Sequence, residues 1–151
     1  MISNAYANKI LNMLTGVKDE IVMPQYVYLG LSETEPSKST GTVTGEPTVN
    51  SYERKIVGGS SGTKHFIDDN NNCASGGIIT NKKEIQLKTA REAYGKKMNY
   101  WFLSDSKTGA ANIWGTINEV DGVINGIEVG ANTVPTFYEY ELKASIDVEL
   151  T

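Results

Sequence analysis

Cysteine is nearly missing from this sequence. Cys73 stands alone, so no disulfide can close within the chain and a cysteine-based zinc site would lack its partners. Histidine is as scarce: His65 is the single one, placed between Lys64 and Phe66 after a Gly-Ser loop, with no H-E-x-x-H metal motif and no G-x-S-x-G elbow to accompany it. No run approaches the roughly 20 apolar residues of a membrane span. The opening stretch, MISNAYANKILNMLTG, lacks the basic start, unbroken apolar run and cleavage site of a signal peptide, which predicts synthesis and folding in a cytoplasm. Basic residues never run beyond a pair, as at Lys82-Lys83 and Lys96-Lys97, and 14 Lys and Arg stand against 18 Asp and Glu for a formal charge of −4. A chain that grips phosphate backbones presents a basic face, so neither nucleic acid nor membrane is expected as a partner.

What is there fits one domain, since 151 residues lie within the ordinary size of a single core that needs no staple. Residues 1–17 read as a short helix and a possible docking element: Ser3 is a candidate N-cap, Gly16 a stop, and Tyr6, Ala7, Ile10, Leu11 and Leu14 share one face. The remainder, 18–151, reads as β. At 26–31 the period changes to two, with Val27, Leu29 and Leu31 pointing one way and Tyr26, Tyr28 and Gly30 the other. Residues 32–50 are rich in Ser, Thr, Gly, Pro and Glu, and Pro36 and Pro47 break any regular pairing, so a long surface loop or arm is expected there.

The strongest alternation lies at 98–103, apolar on both faces over much of its length, as befits a central strand; 112–118 returns as its hairpin partner. Shorter strands are expected at 52–57, 78–79, 85–87, 137–142 and 145–150, and 123–129 carries Asn125-Gly126, the preferred chemistry of a tight hairpin turn. Trp101, Phe102 and Trp114 are the surest core members. The pattern as a whole predicts a mostly β fold, a single antiparallel β-sandwich or barrel-like domain with a short N-terminal α-helix.

Candidates for chemistry are thin. Glu139 and Glu141 would share a strand face about 7 Å apart, a spacing open to an acid and base couple. Their alternation with Tyr138, Tyr140 and Leu142 is, however, the ordinary pattern of a solvated strand. Asp68-Asp69-Asn70-Asn71-Asn72 offers oxygen ligands without the order of a calcium loop. The run from Gly58 to Lys64 misses the P-loop spacing because Thr63 intervenes between Gly62 and Lys64. No catalytic, cofactor-binding or metal-ligating residue is assigned, and no enzymatic activity or cofactor is expected. The aromatics, eight Tyr, two Trp and three Phe, remain as material for a core, a protein interface or a carbohydrate platform, with Tyr138 and Tyr140 the candidates for a platform.

Taken in order, Tyr26-Val27-Tyr28-Leu29-Gly30-Leu31-Ser32, Pro36, Tyr52-Glu53-Arg54, Asn99-Tyr100-Trp101-Phe102-Leu103-Ser104-Asp105, Gly109 and Ile113-Trp114-Gly115 form a pattern. That pattern resembles a family of small bacteriophage virion proteins, comprising tail-fibre and head-decoration proteins. The chain departs from it at Tyr100-Trp101-Phe102 and in the Lys-rich segment 81–97. The resemblance implies a virion component without catalytic activity, assembled in the host cytoplasm and displayed on the particle. A small domain without heptads or fibrous repeats suits a capsid decoration or cement subunit; the alternative is a tail-fibre or baseplate-associated module that binds host surface carbohydrate. The implied partners are other virion proteins, of capsid or tail, and further copies of the chain, in a trimer by analogy. Six residues are the candidate protein interface: Tyr6, Ile10 and Leu14 on the helix, and Glu35, Thr42 and Val43 in the arm.

Overall fold

The computed structural model describes residues 1–16, 22–70 and 74–146. Helix α1 (Asn4–Leu14) forms where expected, because the Ser3 hydroxyl accepts from the Tyr6 N–H at 3.2 Å and satisfies one of the orphan donors of the first turn. It ends as Thr15 bonds back to Leu11 and Gly16 turns to a positive φ of 77°.

The rest is β. Strands β1 (Val27–Ser32), β2 (Lys55–Gly58), β6 (Tyr100–Ser104) and β7 (Ile113–Thr116) make a four-stranded antiparallel sheet in the order β2-β1-β6-β7. Three smaller sheets accompany it: β3 (Ala74–Ser75) and β4 (Ile78–Thr80) with β11 (Lys143–Ser145); β5 (Ile85–Gln86) with β10 (Thr136–Phe137); and β8 (Glu119–Val120) with β9 (Val123–Ile124). The fold is mostly β with one short helix, every sheet is antiparallel, and the described strands close no barrel.

Alternation explains why the large sheet is buried on both faces. Leu29, Leu31 and Trp101 point into the main core, where they meet Ile85, Phe137, Leu142 and Ala144 from the smaller sheets and their flanks. Phe102 and Trp114 point the other way into a second cluster with Ala111, covered by Met1, Val43 and Tyr100. Trp101 and Phe102 are fully buried and Trp114 nearly so, as the sequence predicted, and truncating such a side chain costs about 3–5 kcal/mol. Gly30 lies opposite Phe102, whose ring covers it so closely that a Cβ there would collide with Cζ. Residues 1–3 run along β7: Ile2 bridges Ile113, Ser3 N–H donates to the Asn112 carbonyl, and Trp114 N–H donates to that of Met1.

Two expected strands are corrected. The tight hairpin turns at Asp121-Gly122, with φ of 52° and 78°, not at Asn125-Gly126. Both dipeptides suit such a turn. Residues past Gly126 instead return to the centre, where Ile127 and Met98 exchange both backbone hydrogen bonds at 2.9 Å. The strand expected over 137–142 stops after Phe137, because the side chain of the buried Asn81 takes over the backbone groups that follow. Its amide donates to the Tyr138 carbonyl at 2.7 Å and its oxygen accepts from the Leu142 N–H at 3.0 Å. The strand expected at 145–150 is seen only through β11, and its later residues lie outside the described ones.

Candidate functional site

The arm at 32–50 is irregular, as its prolines require, and it is held firmly against the domain. Pro36 and Pro47 are buried. The Glu33 N–H donates to the Gly45 carbonyl at 2.9 Å and the Ala111 N–H to the Gly41 carbonyl at 2.8 Å, so the loop closes on itself and on the sheet.

Its anchor is Glu46. Arg54, with only 2% of its side chain exposed, donates from Nε and Nη2 to the two Glu46 oxygens, each at 2.8 Å. Nη1 donates to the Ser106 and Gly109 carbonyls at 2.9 and 2.8 Å, and the guanidinium stacks 4.7 Å from the Phe102 ring centre. A buried cation is tolerable only when satisfied in this way. Tyr52 completes the clamp: its hydroxyl donates to Glu46 Oε1 at 2.8 Å and accepts from the Leu31 N–H at 3.0 Å, a donor beyond the β1 residues paired with β2. Burial, and then the Glu46 carboxylate, push the Tyr52 hydroxyl far above the usual tyrosine range, so it remains a donor at every physiological pH.

Helix α1 is held differently. Its first turn is fixed, with Asn4 and Ala5 N–H groups donating to the Lys38 and Ser39 carbonyls of the arm at 2.8 and 3.0 Å. None of its residues is buried. Leu11 and Leu14 are 58% and 72% exposed, Met13 is exposed beside them, and Val22 and Met23 lie bare where the described chain resumes.

The six predicted interface residues divide between these two behaviours. Tyr6 is half-buried on its own domain, and burial, then Asp105, raise its hydroxyl above the ordinary range. Ile10 is half-buried and Leu14 is free of the domain surface. In the arm, Glu35 accepts from the Trp114 indole N–H at 3.2 Å, and Val43 packs on the Phe102 and Trp114 cluster. Thr42 is exposed, its hydroxyl 2.8 Å from that of Thr40. The backbone hydrogen bonds that join the two elements lie at the first turn of α1. Composition gave no hint of the Glu46 anchor; the pair that grips it, Tyr52 and Arg54, stood in the sequence only as a short pattern.

The candidates for chemistry do not assemble. Tyr140 adopts a positive φ of 64°, so Glu139 and Glu141 share no strand face, and a Glu141 oxygen accepts from the Tyr138 N–H at 2.8 Å. His65 Nδ1 lies 3.1 Å from the Thr63 carbonyl, and burial lowers its pKa, with Lys55 and Lys83 adding to the effect. Asp68 accepts from the Asn70 N–H in an ordinary local turn; Asn71, Asn72 and Cys73 lie outside the described residues. Among the described residues no three His, Cys, Asp or Glu side chains gather as a metal site would require, and no helix is long and apolar enough to cross a membrane. Tyr138 and Tyr140 are 61% and 56% exposed, with Lys82 Nζ 5.4 Å from the Tyr140 ring centre.

One hollow remains. A groove of about 1040 Å³ lies between the arm at Glu46 and Pro47, the 52–56 segment, and the chain at 86–89, with Lys107 and Thr108 at its rim. A second hollow of about 310 Å³ adjoins it, the two sharing Lys55 and Ile56.

The family described as Podophage GP4 fiber I protein gp80 matches residues 1–131. No curated protein matches the chain. The chain belongs to this family of phage fibre proteins, and it is on that footing a virion structural protein that associates with other virion proteins.

Proposed function

We propose that this chain is a non-enzymatic subunit of a phage tail fibre, joined to a neighbouring virion protein through the exposed apolar end of helix α1. The observation that carries the reading is the contrast along that helix: the first turn is bonded to the arm, while Leu11 and Leu14 are 58% and 72% exposed, with little of the described domain over them. An amphipathic helix normally spends its apolar stripe on a core, and a run of exposed large aliphatics marks a surface that another molecule covers. Membership in a fibre family supplies the neighbour, and it favours the fibre over capsid decoration as the place of attachment.

The test is a Leu11→Glu, Leu14→Glu double variant supplied during phage growth, with its copy number measured in purified particles by quantitative mass spectrometry. Both side chains lie in solvent, so the fold is retained. Occupancy is expected to drop about tenfold or more, since two charges must then enter an apolar contact. Wild-type occupancy would contradict the reading.

A second role is part of the same proposal: the outward surface contacts host carbohydrate. Tyr138 and Tyr140, exposed on a turn, favour it, because exposed tyrosines give sugars a flat apolar face with a polar tip. A panel of host-surface glycans against the wild type and a Tyr138→Ala, Tyr140→Ala variant tests it, with binding expected for the first and loss for the second.

A further inference from the structure

We infer that the groove beside β2 is a binding site for an extended acidic saccharide. The inference rests on the carbohydrate reading above and adds to it a place and a ligand charge. Shape comes first. The two hollows share Lys55 and Ile56, so they lie next to one another at β2, the larger reaching Glu46 and Lys107 and the smaller Ser61 and His65. The larger hollow alone reaches the upper end of the usual size for small-molecule sites, and two adjoining hollows suit a chain rather than a single ring.

Charge comes next. The larger hollow is lined by Lys55, Lys88, Lys107 and Arg54 against Glu46 and Glu53, on a protein whose formal charge is −4. Arg54 is spent on Glu46. The Lys88 to Glu53 contact, 3.8 Å between largely exposed groups, is a weak screened pair, which leaves the lysines to set a locally positive trough.

The hydrogen-bonding groups then decide which anion fits. A carboxylate offers about four acceptor positions. Among the described residues three of those on Glu46 are taken, by Arg54 Nε, Arg54 Nη2 and the Tyr52 hydroxyl, which leaves one on Oε2, rigidly held at the groove. A nucleic-acid backbone brings phosphate acceptors and would meet that carboxylate as a repulsion. An acidic peptide that bound by adding a strand would meet the outer edge of β2 interrupted at Val57, whose carbonyl already accepts from the His65 N–H at 2.9 Å. A saccharide that carries carboxylates or sulfates together with hydroxyl donors satisfies both the lysines and Glu46, and Ile56 and the exposed Val134 give its ring faces apolar contact.

The experiment is calorimetric titration of the full chain with oligogalacturonate, a neutral maltooligosaccharide, oligoglutamate and oligothymidylate. Oligogalacturonate is expected to bind, more weakly as salt is raised, and the other three to bind at least about tenfold more weakly. A Lys88→Glu, Lys107→Glu variant should lose about tenfold or more in affinity for it, while Lys9→Glu, on the exposed side of α1, should not. Oligoglutamate or oligothymidylate binding as tightly would overturn the saccharide assignment. Binding that survives the lysine changes but falls with Tyr138→Ala, Tyr140→Ala would overturn the groove and leave the carbohydrate reading standing. No saccharide binding at millimolar concentration would overturn both.

Discussion

The arm at 32–50 and helix α1 both read in the sequence as elements able to reach outward, and the fold treats them in opposite ways. The arm hands its Glu46 carboxylate to Arg54 and Tyr52, its Val43 to a core cluster and its Glu35 to Trp114. The helix bonds to the arm through its first turn, rests Tyr6 and Ile10 half-buried, and leaves Leu11 and Leu14 largely in solvent. An irregular loop can therefore be a fixed part of the body, and a regular helix the part left open. What separates them is where the polar and apolar groups find partners, not whether the backbone is regular.

Breaking the clamp should give the largest effect. Arg54→Ala removes both Glu46 bonds and both carbonyl bonds, and strands a partly buried carboxylate. A loss of about 3 kcal/mol is expected in urea unfolding, together with faster amide exchange at Glu33 and Ala111. Tyr52→Phe keeps the ring and its edge contact with Tyr94 but orphans the Leu31 N–H, and should cost about 1–2 kcal/mol by the same measurement. At the helix, Ser3→Ala deletes the N-cap and should cost about 1 kcal/mol, seen as lower helicity and a modest drop in Tm. Leu11→Glu with Leu14→Glu should shift stability by no more than about 0.5 kcal/mol, because both side chains are more than half exposed. If that last pair cost as much as Arg54→Ala, the helix would be packed after all and the contrast would fail.

Legibility in the sequence followed the range of the interactions. Strand β1 and the β6 and β7 hairpin were readable because alternation is local, and the buried trio Trp101, Phe102 and Trp114 followed from it. The helix and its Ser3 cap were readable for the same reason. The end of the strand at Phe137 was not, since Asn81, some sixty residues away in the chain, supplies the hydrogen bonds that stop it. The choice of Asp121-Gly122 over Asn125-Gly126 likewise depends on the distant pull of Met98 on Ile127. At the candidate site, the apolar stripe that carries Leu14 was legible, but not which of its residues the domain would leave exposed. Glu46 was not, because nothing local to it announces a partner that follows Tyr52 in the chain and leans on the 106–109 turn.

The most direct test of this account is an electron cryomicroscopy reconstruction of the assembled particle in which the chain can be located. Density is expected on the tail, with Leu11 and Leu14 buried against a neighbouring subunit and the arm still closed on Arg54. A position on the capsid lattice, or a contact made by residues 32–50 while the end of α1 stays in solvent, would contradict it.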